Sequence, residues 1–243
     1  MKLAITFWGT QKYVEFLPEW YERLEKYFIP EAEKHYFVFT DGDLEGCPEN
    51  ITKMEIPHYG FPTTYHKTFE EMIKLEDKVS GFDWLVSVDA DLYVQQKIEY
   101  SEFFDDTKKY FGVHHPCHHI GFQPHDKYPG SYDVNPLSCA CIDDSIMDMS
   151  VYYQGCLWGG KVFHIFDMMR QIDLWTKKDL GNNVSARYFE ESYMNKWFLT
   201  HRDDTHTLSS EYAYPEMFAN YCTFQNKMMH LAKDNKALDN NQW

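Results

Sequence analysis

The chain has 243 residues, 44% of them hydrophobic, and a formal net charge of −15. That length suits one large α/β domain or two small ones with a sizeable core, and the apolar content argues against a disordered chain. The acidic balance, with a sequence pI near 5.1, argues against nucleic acid and anionic lipid as partners, while a local metal or cation still admits an anionic small ligand.

No stretch approaches the roughly 20 apolar residues that a membrane span needs. The start, "MKLAITFWGT", reads as a first strand and not as a signal peptide, so a soluble, cytoplasmic protein is expected. The six cysteines (Cys47, Cys117, Cys139, Cys141, Cys156 and Cys222) form no CxxC pair. They read as mostly free thiols, with Cys139 and Cys141 alone open to another use.

In chain order, "KLAITFW" (2–8) reads as a strand. Residues 12–28 carry apolar side chains at helical spacing, with Pro18 near the start where a missing N–H costs least. "HYFVFTD" (35–41) and "ITKMEIP" (51–57) read as strands, and 62–79 as a helix. "WLVSV" (84–88) is a short apolar strand. "YFGVHHP" (110–116) and "YYQGCLWGG" (152–160) follow as strands around a long excursion at 117–150. Helices are expected over 161–178 and 185–201, and a polar tail from Lys233. Alternating strands and helices predict a mostly parallel α/β sheet, with ligands beyond the carboxyl ends of its strands.

Asp89 and Asp91 stand at such an end, in "DWLVSVDADLYV". In an extended segment, residues i and i+2 point the same way, so the two carboxylates converge on one ligand. Two hard oxygens suit Mg²⁺ or Mn²⁺, with phosphate oxygens completing the shell. The alternative is a strand-ending turn, where Asp is common. Glu190 and Glu191 in "ARYFEESYMNKWF" adjoin the apolar side of a helix, Glu191 beside Met194, Asn195 and Phe198. A carboxylate there needs a partner or a task. Lys196 or Arg187 would supply the partner if the pair is only structural. "HHPCHH" (114–119) fits no zinc spacing, and Pro116 breaks any helix that would align it, so a histidine bonded to a polar substrate is favoured. In "YYQGCLWGG", small residues admit a ligand or a packed helix.

Together these motifs resemble glycosyltransferase family 6, the blood-group A and B transferases and the α1,3-galactosyltransferases. The resemblance rests on "KYVEFL", "HYFVFTD", "DWLVSVDADLYV", "FGVHHP", "YYQGCLWGG", "YFEESYMNKWFL" and "LSSEYAYPE", with a weaker echo in "AKDNKAL". It implies a single GT-A catalytic domain over 1–243: a nucleotide-binding part at about 1–94, an acceptor-binding part at about 95–232, and a mobile tail at 233–243. It also implies a retaining enzyme. Galactose or N-acetylgalactosamine would pass from a UDP-sugar to the 3-hydroxyl of an acceptor glycan, with Mn²⁺ (or Mg²⁺) as cofactor.

The resemblance further implies roles by position. Trp8, Gly9, Thr10 and Tyr13 would meet the uridine, and Asp89 and Asp91 the metal and nucleotide sugar. Gln154 and Cys156, flanking Gly155, would discriminate the donor sugar, and Glu190 would hold it. Glu191 would be the nucleophile or an acceptor-binding group. His115 and Glu216 would contact the acceptor, and Lys233 would close over the diphosphate. The chain departs from the family where an Arg is expected before the DxD strand: Thr68 stands there, and Lys67 beside it is the candidate replacement, a point charge in place of a planar fork. Tyr188 and Phe189 replace an aromatic and a His, and Asp239 a tail Arg. The vertebrate anchor and stem have no counterpart in the sequence. Two other classes stay open: a metal-dependent nucleotide phosphoesterase using the acids and the histidine cluster, and a carbohydrate-binding module built on the 18% aromatic content.

Overall fold

The computed structural model describes residues 1–116, 132–148 and 150–233. Cys117, His118, His119, Lys236 and Asp239 lie outside the described residues.

The elements, in order, are β1 (Lys2–Trp8), a 3₁₀ stretch (Gln11–Phe16), α1 (Leu17–Tyr27), β2 (Glu33–Thr40), β3 (Ile51–Glu55) and α2 (Thr63–Met72). After a 3₁₀ turn (Ile73–Leu75) come α3 (Glu76–Val79), β4 (Trp84–Val88), β5 (Leu92–Val94), α4 (Tyr100–Phe103) and β6 (Tyr110–His114). Then follow β7 (Tyr153–Lys161), α5 (Val162–Gly181), α6 (Phe189–Thr200), β8 (Thr205–Leu208), β9 (Tyr214–Pro215) and β10 (Met228–His230).

The helix expected over 12–28 is divided, because an α-helix running through would need an N–H from Pro18 in its interior. The α-helix begins at Leu17 instead, with Pro18 in its first turn. Leu17, Trp20 and Leu24 then face the core. The helix expected over 62–79 is also divided. Buried Met72 and Leu75 are three residues apart, a spacing that a 3₁₀ turn keeps on one side. The short strands β5, β8, β9 and β10 carry too few residues to show a period.

Among the described residues, seven strands pair in the order β3-β2-β1-β4-β7-β6-β8, and three form a second sheet, β5-β10-β9. In the large sheet only β7 runs against its neighbours. It is a mixed, mostly parallel α/β sheet, as the resemblance to a GT-A domain implies. Both faces are covered: Leu3, Ile5 and Phe7 pack with Trp20 and Leu24, while Ala4 packs with Phe69, Met72, Met168 and Met169 on the other side. Gly159 allows β7 to lie against β4, since a Cβ there would stand 2.2 Å from the Leu85 carbonyl oxygen. From β1 the chain builds outward through β2 and β3, then returns to place β4 on the opposite side of β1. The carboxyl ends of β1 and β4 thus flank a topological switch point, where such sheets leave a crevice.

Candidate active site

A cleft opens at that crevice. Trp8, Gly9, Thr10 and Tyr13 line it from the end of β1, and Ser87, Asp89, Ala90 and Asp91 from the end of β4. His58, Phe61, Thr64, Tyr65 and Thr68 close one side, Gly155, Trp158 and Glu190 the floor, and Lys233 the rim. Trp8 stacks on Phe39 at 5.0 Å, and the Thr10 hydroxyl shares a 2.8 Å hydrogen bond with His58 Nδ1. No helix among the described residues is long and apolar enough to cross a membrane.

The two aspartates sit in a turn and not in an extended segment, because the Leu92 N–H donates back to the Asp89 carbonyl at 3.0 Å. The turn still brings the carboxylates together, so the two sequence alternatives describe one object. Three further bonds fix it. The Asp89 N–H donates to Cys156 O (2.9 Å), Trp20 Nε1 donates to Asp89 O (3.1 Å), and the Leu231 N–H donates to Asp91 O (2.9 Å). Burial, with the Asp91 charge adding to it, pushes the Asp89 carboxyl up to about 6. Burial would raise Asp91 too, but His230 and Lys233 beside it hold it below the usual carboxylate range.

His230 belongs to this site, and nothing in the sequence reading singled it out. Its Nε2 lies 3.2 Å from Asp91 Oδ1. Ligand atoms of Asp89, Asp91 and His230 all fall within 4.8 Å of one another. Two carboxylate oxygens and one imidazole nitrogen fit a divalent ion of the Mn²⁺ kind, and fit Mg²⁺ less well because of the nitrogen. Lys233 forms an ion pair with Asp91 Oδ2, and its ammonium lies 5.1 Å from the Tyr13 ring centre.

Glu190 and Glu191 enter from the first turn of α6. Phe189, which starts the helix, has φ +48°, a strained value for a bulky residue. Aromatic neighbours hold it there: Tyr65 stacks on it at 5.5 Å, and Phe61 and His66 meet it edge-on. Buried Asn195 then locks α6 to β7. Its Nδ2 donates to Tyr153 O (2.7 Å) and its Oδ1 accepts from the Tyr153 N–H (2.8 Å). That register sets Glu191 against the strand. Its Oε2 accepts from the Gly155 N–H (2.7 Å) and its Oε1 from the Tyr152 hydroxyl (2.7 Å). Gly155 eases this approach, since a Cβ would stand 3.3 Å from the same Oε2 and push the carboxylate back slightly. Burial raises Glu191 to about 7, against the lowering effect of those two donors. Glu190 is raised well above its ordinary value, chiefly by burial, and its Oε2 is buried without a hydrogen-bond partner. Neither cation considered from sequence pairs with these acids: Lys196 donates to Cys139 O, and Arg187 lies over the Tyr188 ring.

Other candidates are placed less directly. Gln154 and Cys156 point away from Gly155, as alternation along β7 requires. The Gln154 amide donates to Ala213 O (2.9 Å). The Cys156 thiol is buried and kept protonated by burial and by the charges of Asp89 and Glu191. His115 is buried, donates its N–H to Tyr152 O (2.7 Å) and packs edge-on to the Tyr152 ring. It therefore adjoins the Glu191 side of the site, and does not join the aspartates as the phosphoesterase alternative required. Glu216 accepts the Ala232 N–H (2.9 Å) and so anchors the segment that carries Lys233. Lys67 bonds to Glu70 at 3.1 Å, one turn along α2, and is not among the residues that line the cleft. The helix turns Thr64, Tyr65 and Thr68 inward instead.

The sequence profile of glycosyltransferase family 6 matches residues 65–240, which include both acidic pairs. The chain belongs to glycosyltransferase family 6. Similar proteins include the O-antigen biosynthesis glycosyltransferase WbnI of Escherichia coli, 27% identical over 222 residues and 90% of each chain. Histo-blood group ABO system transferase 2 of Rattus norvegicus is 24% identical over 98% of this chain and 71% of its own length. Globoside alpha-1,3-N-acetylgalactosaminyltransferase 1 of Homo sapiens is 23% identical over 89% of this chain, which spans 62% of that protein. The molecule is a glycosyltransferase, which sets aside a purely carbohydrate-binding role.

Within this family 6 site, sequence reasoning missed His58, Phe61, Tyr65, Ser87 and Trp158 as well as His230. Tyr65 alone left a trace, about one helical turn from the position of the expected Arg. Its hydroxyl is held neutral by burial, with the nearby charges of Glu190 and Asp89 adding to it.

Proposed function

We propose that this family 6 enzyme moves galactose or N-acetylgalactosamine from a UDP-sugar to the 3-hydroxyl of an acceptor glycan, with retention at the anomeric carbon. The observation that carries the proposal is the meeting in one cleft of Asp89 and Asp91, from the end of β4, with Glu190, from α6, while Glu191 is bonded to the backbone of Gly155, which lines the same cleft. The name of the human relative, an alpha-1,3-N-acetylgalactosaminyltransferase, supports N-acetylgalactosamine and the 1,3-linkage; galactose follows from the family resemblance.

Trp8, Gly9, Thr10 and Tyr13 take the uridine at the end of β1. Asp89, Asp91 and His230 hold Mn²⁺, which when bound offsets charge on the departing diphosphate. Lys233 covers the same diphosphate and helps exclude water. Glu190 keeps its proton and donates it in a hydrogen bond to a donor-sugar hydroxyl, which satisfies its otherwise orphaned oxygen. Glu191 acts as an anion facing the anomeric carbon, as nucleophile or as counter-charge to an oxocarbenium-like state. The Tyr152 hydroxyl and the Gly155 N–H favour that anion and aim it. Gln154 and Cys156 shape the donor-sugar end from behind, and His115 and Glu216 border the acceptor. With Lys67 turned away, α2 supplies no cation to the donor. The metal and Lys233 carry that load.

The test is UDP release across a panel of UDP-sugars, with Mn²⁺ or EDTA and with or without galactoside acceptors. Acceptor-stimulated, EDTA-sensitive release from UDP-galactose or UDP-N-acetylgalactosamine is expected. Absence of release from every donor would refute the proposal.

A further inference from the structure

We propose that the Asp91 carboxylate is an exchange site for two cations. Lys233 occupies it in the metal-free protein, and a divalent ion taking Asp89, Asp91 and His230 as ligands expels Lys233 toward the donor diphosphate. This rests on the reading of the aspartate pair as a metal site and adds two residues to it with opposite roles.

Asp91 is 1% exposed. An ionised carboxylate at that depth needs a cation, and beside the Asp89 carboxylate it needs one more strongly. Without metal, Asp91 has both a cation and a hydrogen-bond partner. Lys233 pairs with Oδ2, and His230 Nε2 faces Oδ1 at 3.2 Å. The two residues are held differently. β10 runs antiparallel to β5 with His230 opposite Leu92, the residue after Asp91. The Leu231 N–H closes the same ladder onto Asp91 O at 2.9 Å. The sheet register itself therefore delivers the imidazole to the carboxylate, and it does so with or without a ligand. Lys233 stands three residues past the strand, on a flexible four-carbon stem. Its supports are the Tyr13 ring and the anchorage of Ala232 to Glu216. It is the partner that can leave.

An ammonium and a divalent ion cannot share Asp91 Oδ2, since their charges repel at contact distance. Metal entry must displace Lys233. The displaced ammonium lies on the rim of the cleft that Asp89 and Asp91 also line, so a diphosphate held by the metal is its nearest new anion. Metal binding and donor closure are thereby coupled through one side chain.

The experiment measures Mn²⁺ binding to the donor-free protein by calorimetry and by pulsed electron paramagnetic resonance, which detects ligand nitrogen. Wild-type protein is expected to show ¹⁴N coupling from one imidazole. His230→Gln is expected to lose that coupling and to bind Mn²⁺ at least about tenfold more weakly. Lys233→Met removes the competing cation, so donor-free Mn²⁺ binding is expected to tighten by about tenfold or more, while the KM for the UDP-sugar rises. Wild-type Mn²⁺ binding without nitrogen coupling, or coupling that persists in His230→Gln, overturns the role of His230. Unchanged Mn²⁺ affinity in Lys233→Met overturns the exchange. Either result leaves sugar transfer standing, whereas failure to release UDP from any donor refutes the proposed function and leaves these binding results to be judged alone.

Discussion

At the scale of single residues, Glu191 has to be an anion where burial resists charge. Its carboxyl is raised from an ordinary 4.5 to about 7. Between those values the folded chain keeps a proton that the unfolded chain has released, so the metal-free fold loses stability as pH rises from about 4.5 to about 7. The raised carboxyl withdraws about 3 kcal/mol over that window and stays fully unfavourable above it. Glu191→Gln should make this slope shallower in urea titrations at several pH values, leaving the part that the raised carboxyls of Asp89 and Glu190 contribute. Glutamine can accept from Gly155 with its carbonyl and donate to the Tyr152 hydroxyl with its amide, so the variant folds. It is expected to be more stable than wild type at pH 7 and to lose transfer by about 10³-fold or more, since the charge facing the anomeric carbon is gone. Near-normal transfer by this variant would remove Glu191 from the chemistry.

At the scale of elements, the site depends on how helices are keyed to strands. Asn195 is 1% exposed and satisfies both backbone groups of Tyr153. Asn195→Leu keeps the branched shape, though with a bulkier side chain, and strands a buried N–H and C=O, a loss of about 2–4 kcal/mol by denaturant melts. Because α6 then loses its register against Gly155, kcat should fall while the donor KM changes little. Trp20 ties α1 to the aspartate turn through its bond to Asp89 O. Trp20→Phe retains an aromatic ring between Phe7 and Tyr36 but drops that bond. It should cost about 1 kcal/mol of stability and weaken Mn²⁺ binding a few-fold, read by calorimetry. Long elements were legible because apolar spacing repeats over several turns or pleats, as in β1, β4 and α1. The strands β9 and β10 were not, since two or three residues cannot display a period and their pairing partners lie far off in sequence. One of them carries His230.

At the scale of the whole molecule, the cleft is a consequence of strand order. The strand order reverses at parallel β1 and β4, which opens a crevice, and α6 and the β5-β10-β9 sheet bring acids and cations to its walls. A ligand that bridges these parts stabilises all of them. Mn²⁺ with UDP at about 100 times the dissociation constant should add about 2.7 kcal/mol, a rise of about 5–10 °C in Tm, which EDTA reverses. No rise with either ligand would count against the donor site. The sequence by itself determined the fold class, the family and the surroundings of the four site acids: an apolar strand ending in Asp89 and Asp91, and a helix face bearing Glu190 and Glu191. These are local patterns, readable wherever burial has a period. Only the tertiary structure decided that the aspartates form a turn, that Lys67 faces Glu70 while Tyr65 faces the cleft, and that His230 and Lys233 meet at Asp91. Those outcomes depend on helix rotation and on pairing between strands more than 130 residues apart, which no local period encodes.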